Sequence, residues 1–80
     1  MIDTGKILIL KGKTQKGKNR INEHGNKWKV TEIRPFEGRM RLESLNKTFK
    51  FNNEWRKDVR WVSTSIVTQD ENFELVGIEN

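Results

Sequence analysis

Short apolar segments with a period of two residues constrain this chain more than any other feature of its sequence. Ile7 to Leu10 is a compact apolar run between glycines, and Trp28 and Val30 alternate with lysine and threonine. Such patterns are typical of β-strands, and no segment shows a helical apolar period over about twelve residues. The sequence therefore predicts an all-β fold.

Turn-forming residues divide the apolar segments into five or six short strands. The strands predicted in this way cover residues 7–10, 27–33, 39–43, 48–52, 60–68 and 73–78. A β-bulge near Glu32 would return Ile33 to the buried face of its strand. The connections predicted between strands are a long loop over 11–26, turns at 45–48 and 70–72, and a loop or single helical turn over 52–58.

A chain of 80 residues with 32% hydrophobic side chains has material for one small domain. We therefore expect a single domain over residues 1–80. Because a short all-β chain must protect the edges of its sheet, partial closure into a barrel is favoured. The expected architecture is a small SH3-like barrel of five or six short strands with a long basic loop after the first strand. An OB-like barrel is the alternative.

The chain has no cysteine, one histidine and no recognisable catalytic motif. Disulfides and thiolate metal sites are therefore excluded, and a histidine-based metal centre or triad is not expected. The sequence predicts a binding protein that is not an enzyme and needs neither a metal nor a cofactor. Its apolar runs are too short for a membrane span and its first residues do not resemble a signal peptide, so we expect a cytoplasmic protein without a membrane partner.

Positive charge is concentrated in the first part of the chain. Residues 1–29 carry eight basic and two acidic side chains, whereas residues 61–80 carry four acidic side chains and no basic one. Between Lys11 and Arg20 five cations are interleaved with glycine, with no acidic residue among them. Glycine lets a backbone approach a phosphate, and lysine and arginine supply the charge. This loop therefore predicts a weakly sequence-specific nucleic-acid-binding protein, for either DNA or RNA.

The residues expected to contact nucleic acid fall into three groups. The first is the loop, with Lys11, Lys13, Lys16, Lys18 and Arg20 on phosphates. The second is Lys27 and Lys29, on the outward face of the following strand. The third is a basic cluster with a partly exposed tryptophan that could stack on a base, formed by Trp55, Arg56, Lys57 and Arg60.

The other aromatic residues are expected to serve mainly in packing. Trp28 and Trp61 lie in apolar strand patterns that predict the core. Phe49 and Phe51 flank Lys50 on one strand face. Core packing is the first interpretation of this pair, and a base-stacking platform is the second.

Two other classes of function fit the same charges. The basic face or a strand edge could bind a protein, so that the chain would be an interaction module that modulates a host enzyme. A structural component whose charge serves assembly or solubility is the other alternative. The oligomeric state does not follow from the sequence.

Two resemblances add to this interpretation. The segments Gly17–Ile21, His24–Gly25 and Trp28–Val30 resemble a pattern in small uncharacterised proteins of large tailed bacteriophages. The layout of a short strand, a long basic loop and a tryptophan-bearing strand is similar to that of SH3-like barrels of the KOW and Tudor type. The resemblance implies a module that acts on nucleic acid, transcription or translation, in the host cytoplasm if the chain is encoded by a phage.

Overall fold

Five antiparallel strands and one helix form the protein in a computed structural model that describes residues 2–64 and 71–79. In chain order the elements are β1 (Ile7–Gly12), α1 (Gln15–His24), β2 (Lys27–Arg34), β3 (Arg39–Phe51), β4 (Glu54–Ser63) and β5 (Phe73–Glu79). The predicted strand over 60–68 ends earlier than expected within the described part. Its remainder, together with Asp70 of the predicted turn, lies outside the described residues.

The strands form one sheet in the order β4-β3-β2-β1-β5. β2, β3 and β4 follow one another as a meander, and β5 returns to pair with β1, where Ile7 faces both Lys29 and Glu79. β1 is therefore held from both sides by strands that are distant from each other along the chain. The prediction of an all-β, barrel-like fold is confirmed.

The core takes side chains from all five strands. The buried hydrophobic residues are Leu8, Leu10, Trp28, Val30, Met40, Leu42, Val62 and Phe73, and Ile2, Ile21, Ile33 and Leu75 pack against them. Trp28 is fully buried, as predicted, and its Nε1–H donates to the Gly25 carbonyl at 3.1 Å. The apolar residues that alternate with polar ones in the sequence thus correspond to one buried face of the sheet.

The sheet curves until its two edge strands approach each other. The Arg60 guanidinium of β4 lies over the ring of Phe73 at the start of β5, 4.5 Å from its centroid. Phe73 is itself 1% exposed. A cation–π contact between the edges thus covers one end of the core.

The connection after β1 is long and basic, but it is not the irregular loop that the sequence predicted. Its centre is the helix α1, which begins after Thr14 and ends before Gly25. Thr14 Oγ1 accepts a hydrogen bond from the Gly17 N–H at 3.1 Å, and the Gly25 N–H donates to the Ile21 carbonyl at 2.8 Å. Because Ile21 is the only apolar residue in α1, no apolar period marked this helix.

Two glycines set the position of α1 against the sheet. A Cβ atom on Gly12 would lie 2.4 Å from the backbone nitrogen of Lys18, and one on Gly17 would lie 2.1 Å from the carbonyl oxygen of Asn72. The glycines of the basic segment therefore permit close backbone packing. The sequence had suggested instead that they let the backbone approach a phosphate.

The bulge predicted near Glu32 is confirmed. The register between β2 and β3 shifts between Val30 and Glu32, and beyond it Ile33 pairs with Met40 and packs against the core. An extra residue in one strand restores the inward orientation of the following side chains.

The predicted turn at 45–48 is wrong, because β3 continues through it. The register between β3 and β4 shifts between Glu43 and Phe49. Ser44, which is 1% exposed, supports the irregular part: its Oγ accepts from the Asp58 N–H at 2.8 Å and donates to the Asn46 carbonyl at 2.9 Å. These side-chain bonds replace ladder bonds lost at the shift.

The predicted loop or helical turn over 52–58 is also wrong. Asn52 and Asn53 form a tight turn with φ values of 50° and 63°, and β4 begins at Glu54. Asparagine tolerates this left-handed region, and two such residues in succession are typical of a two-residue hairpin loop. The β3 and β4 strands therefore form one long hairpin.

No helix in residues 2–64 and 71–79 is long and apolar enough to cross a membrane.

Candidate functional site

The five cations predicted to act together do not share one surface. Lys16 and Lys18 are two residues apart on α1, so their side chains point to different sides of the helix. Lys13 precedes the helix, and its backbone N–H donates to the Asn72 carbonyl at 2.7 Å. A helix stands where the sequence predicted a long loop, and of its three cations Lys16 and Arg20 lie on one side and Lys18 on another.

Lys11 and Lys18 border a groove between α1 and the β1–β5 edge of the sheet. The groove has a volume of about 470 Å³. Its lining residues are Leu10, Lys11, Gly12, Lys18, Ile21, Asn22, Asn26 and Val76. Two of the predicted phosphate contacts therefore stand at the rim of a largely apolar depression.

Arg20 forms an ion pair within the protein. Its Nη1–H donates to Asp58 Oδ2, and the Asp58 side chain is 14% exposed. His24 joins the same network. Its Nδ1 lies 2.5 Å from Thr48 Oγ1, and its Nε2 lies 3.6 Å from Asp58 and 3.4 Å from Glu23. Together these contacts fix α1 against β3 and β4.

The second predicted cluster is divided by the alternation of β4. Arg60 turns inward onto Phe73. Arg56 lies over the ring of Phe51 at 5.4 Å and donates to Glu54 at 3.1 Å. Lys57 points to the opposite side of the strand from these two arginines, because side chains at successive positions alternate.

The sheet face that is turned away from α1 carries the most coherent set of basic and aromatic groups, and we call it the outer face. Along β4 it presents Trp55, Lys57, Val59 and Trp61. Opposite these residues on β3, Lys50 pairs with Trp55 and Lys47 pairs with Lys57. Trp55 is 58% exposed, which agrees with the expectation of a partly exposed tryptophan.

Lys47 and Lys57 form a like-charge pair across the two strands. Such pairs destabilise a sheet when they face each other directly. The Lys57 Nζ has one acidic neighbour within ion-pair distance in the described part of the chain, Glu43 at 3.7 Å. One carboxylate beside Lys47, Lys50 and Lys57 leaves this end of the outer face with an excess of positive charge.

Lys27 and Lys29 lie on β2, on the face of the strand opposite to that of the buried Trp28 and Val30. Lys29 pairs in register with Glu43, so it extends the outer face, as predicted from the alternation. Lys27 is in an ion pair with Glu79, with 3.2 Å between Nζ and Oε1.

Trp61 was predicted to lie in the core, and this is wrong. It is half-buried on the outer face, where Arg34 and Arg39 place their Cζ atoms 4.8 and 5.0 Å from its ring centroid. The bulge in β2 reverses the orientation of the residues that follow, which brings Arg34 to this side.

Acidic neighbours hold these two arginines in place. Arg34 donates to Glu32 and Arg39 donates to Glu37 at 2.9 Å. The hydrogen bond from Arg39 is the main cause that lowers the pKa of Glu37, and the hydrogen bond to Glu32 is the main cause that raises the pKa of Arg34. This end of the outer face is therefore internally balanced, in contrast to the Trp55 end.

Phe51 is 55% exposed, so the prediction that it packs in the core is wrong. It lies on the face of the β3–β4 hairpin opposite to Trp55, because it pairs with Glu54. The side chain of Phe49 lies outside what the structure describes.

Sequence reasoning did not select Lys47, Lys50, Arg34 and Arg39 as site residues. The signal for Lys50 was its position between two aromatic residues on a strand. The signal for Lys47 was hidden by the turn predicted at 45–48.

In the parts of the chain that the structure describes, no three histidine or acidic side chains are placed to hold a metal ion. No protein-family model, curated protein or solved structure matches this chain.

Proposed function

We propose that this protein binds nucleic acid with little sequence preference, through the Trp55 end of its outer face. The observation that carries the proposal is the cross-strand pair of Lys47 and Lys57, beside an exposed tryptophan and Lys50. Like charges held together on a rigid hairpin repel each other in the unbound protein. A polyanion relieves that repulsion and gains affinity from the release of its counterions.

The architecture supports this assignment. The hairpin turn at Asn52–Asn53 joins strands of 13 and 10 residues, so the lysines have positions fixed by the sheet. Lys29 continues the positive surface on the neighbouring strand. Contacts of this kind go to phosphates and carry no information about base identity.

Binding of labelled DNA and RNA oligonucleotides, measured by fluorescence anisotropy between about 50 and 200 mM salt, tests the proposal. Each of Lys47→Ala, Lys50→Ala and Lys57→Ala should weaken binding to all sequences alike and reduce the salt slope by about one. The matched control is Lys18→Ala, an exposed lysine on α1, which should leave affinity and slope unchanged. Affinity that does not respond to salt, or that survives all three substitutions together, would contradict the proposal.

Binding of a protein through a strand edge is a second candidate, which a different observation favours. In the described ranges β5 pairs with β1 alone, and it exposes Val76 by 56% and Ile78 by 43%. An exposed edge with apolar side chains can take up a strand from another chain. A stoichiometric partner that survives nuclease treatment and is lost with Val76→Glu, but not with Lys57→Ala, would support this function.

A further inference from the structure

We infer that the nucleic acid bound at the outer face is a single strand, with an unpaired base stacked on Trp55. This inference rests on the proposed function and adds the class of ligand. It follows from the surroundings of the three tryptophans and of Phe51.

Trp55 is the tryptophan whose ring is open. Trp28 is fully buried, and Trp61 is covered by the guanidinium groups of Arg34 and Arg39. Phe51 is almost as exposed as Trp55, yet Arg56 lies over its ring. Among the described residues, no aromatic or cationic group covers Trp55.

The charges around Trp55 are placed for the backbone of one strand. Lys50 lies directly across from Trp55 at the tip of the hairpin. Lys57 lies two residues along β4 on the same face, about 7 Å away by the rise of a strand. Lys47 lies across from Lys57. A base on the indole ring therefore has Lys50 across the hairpin and the Lys47–Lys57 pair further along it to receive neighbouring phosphates.

A duplex would use only part of this arrangement. Its bases are stacked on one another, so it offers a protein phosphates and polar base edges but no open ring face. The hairpin could enter a major groove as a two-stranded ribbon, and the lysines would then bind while Trp55 contributed nothing specific. An unpaired base uses both features, and this stacking tolerates any base.

The experiment compares an oligothymidylate and an oligouridylate of about twelve nucleotides with a duplex of the same length. Trp55→Leu is paired with Phe51→Leu, a substitution of a similarly exposed ring on the opposite face of the hairpin. Stacking is worth about 1–3 kcal/mol per base, which corresponds to about 5- to 150-fold in affinity. Trp55→Leu should lose this factor for the single strands, and Phe51→Leu should change affinity by less than about twofold.

Two further measurements complete the test. Quenching of tryptophan fluorescence by the single strands should disappear in Trp55→Leu, and Trp55→Phe should keep most of the affinity because it retains a ring. The emission of the tryptophans that remain, which include the buried Trp28, reports whether each variant is folded. Tighter binding of single strands than of duplex, together with the loss in Trp55→Leu, supports the inference.

The outcomes separate this inference from the proposed function. If the duplex binds as tightly and Trp55→Leu has no effect, while the lysine variants still weaken binding, the single-strand inference is overturned and the function stands. If neither the tryptophan nor the lysine variants change binding, both are overturned.

Discussion

Replacing Gly17 by alanine tests whether the basic segment is a packed helix. In the structure Gly17 is buried on α1, and an added Cβ would lie 2.1 Å from the carbonyl oxygen of Asn72. The obstacle is a backbone atom, so rotation of a side chain cannot remove the overlap. Either α1 or the segment before β5 has to move.

Two opposing effects set the magnitude. Alanine is favoured over glycine in a helix interior by about 1 kcal/mol. Forcing a methyl group into a packed site costs about 1–3 kcal/mol, and an overlap with backbone lies toward the upper end of that range. We therefore expect Gly17→Ala to lower the free energy of unfolding by about 1–2 kcal/mol. For a domain of this size, that corresponds to a melting temperature lower by about 4–16 °C.

Urea denaturation followed by tryptophan fluorescence, to which the buried Trp28 contributes, measures this change. The control is Lys16→Ala, at an exposed position of α1, which should change the unfolding free energy by less than about 0.5 kcal/mol. If the segment were the long loop that the sequence predicted, Gly17→Ala would be neutral or stabilising, because it restricts the unfolded chain. A variant as stable as the parent protein would refute the packing described here.

Three other substitutions probe separate parts of the structure. Ser44→Ala should lower the unfolding free energy by about 1–3 kcal/mol in urea denaturation, because it leaves a buried backbone N–H without its acceptor. Thr14→Ala should cost about 1 kcal/mol through loss of the helix cap, and Thr14→Ser should restore it. Arg39→Ala should raise the pKa of Glu37 toward its ordinary value, as followed by NMR. Since folding lowers this pKa, the pairing stabilises the parent fold above the carboxyl's ordinary pKa and is lost as the pH falls through the lowered value.

The strands could be predicted because alternation is a local property. Alternation was enough to predict even the bulge near Glu32. Ile33 falls out of phase with Val30 in the sequence, and an extra residue in the strand corrects the phase. The turn at 45–48 could not be excluded in the same way. β3 continues through these residues with the support of the Ser44 side chain, which accepts a hydrogen bond from the backbone N–H of Asp58 on β4.

The helix was missed because its stability does not come from an apolar stripe. The sequence contained its signals, a threonine at the start and a glycine at the end, but Ile21 alone could not mark a buried face. The ion pair of Arg20 could not be predicted from its neighbours in the sequence. Its partner Asp58 is 38 residues away along the chain, and only the packing of α1 on the sheet brings the two together.

The sequence predicted Trp55 and Lys57 in one cluster on a loop or helical turn, and the structure places both on the outer face of β4. Lys29 was predicted to point outward from its alternation with Trp28. That these residues bind nucleic acid stays a prediction. Charge clustering along the sequence favoured Lys11 to Arg20, where the structure has the end of β1, a connection and a helix that turns Lys18 away from Lys16 and Arg20. Proximity in sequence predicts a shared surface in a strand only at every second residue, and in a helix only at spacings of three or four.

The central position of β1 has a consequence for how the protein is made. β1 is synthesised before the other four described strands, and one of its two partners, β5, follows only after β2, β3 and β4. Until β5 has left the ribosome, one edge of β1 therefore lacks its partner strand, and the sheet cannot be completed. A shortened product that stops after β4 would keep that strand uncovered, and we expect such a product to depend on chaperones or to be degraded.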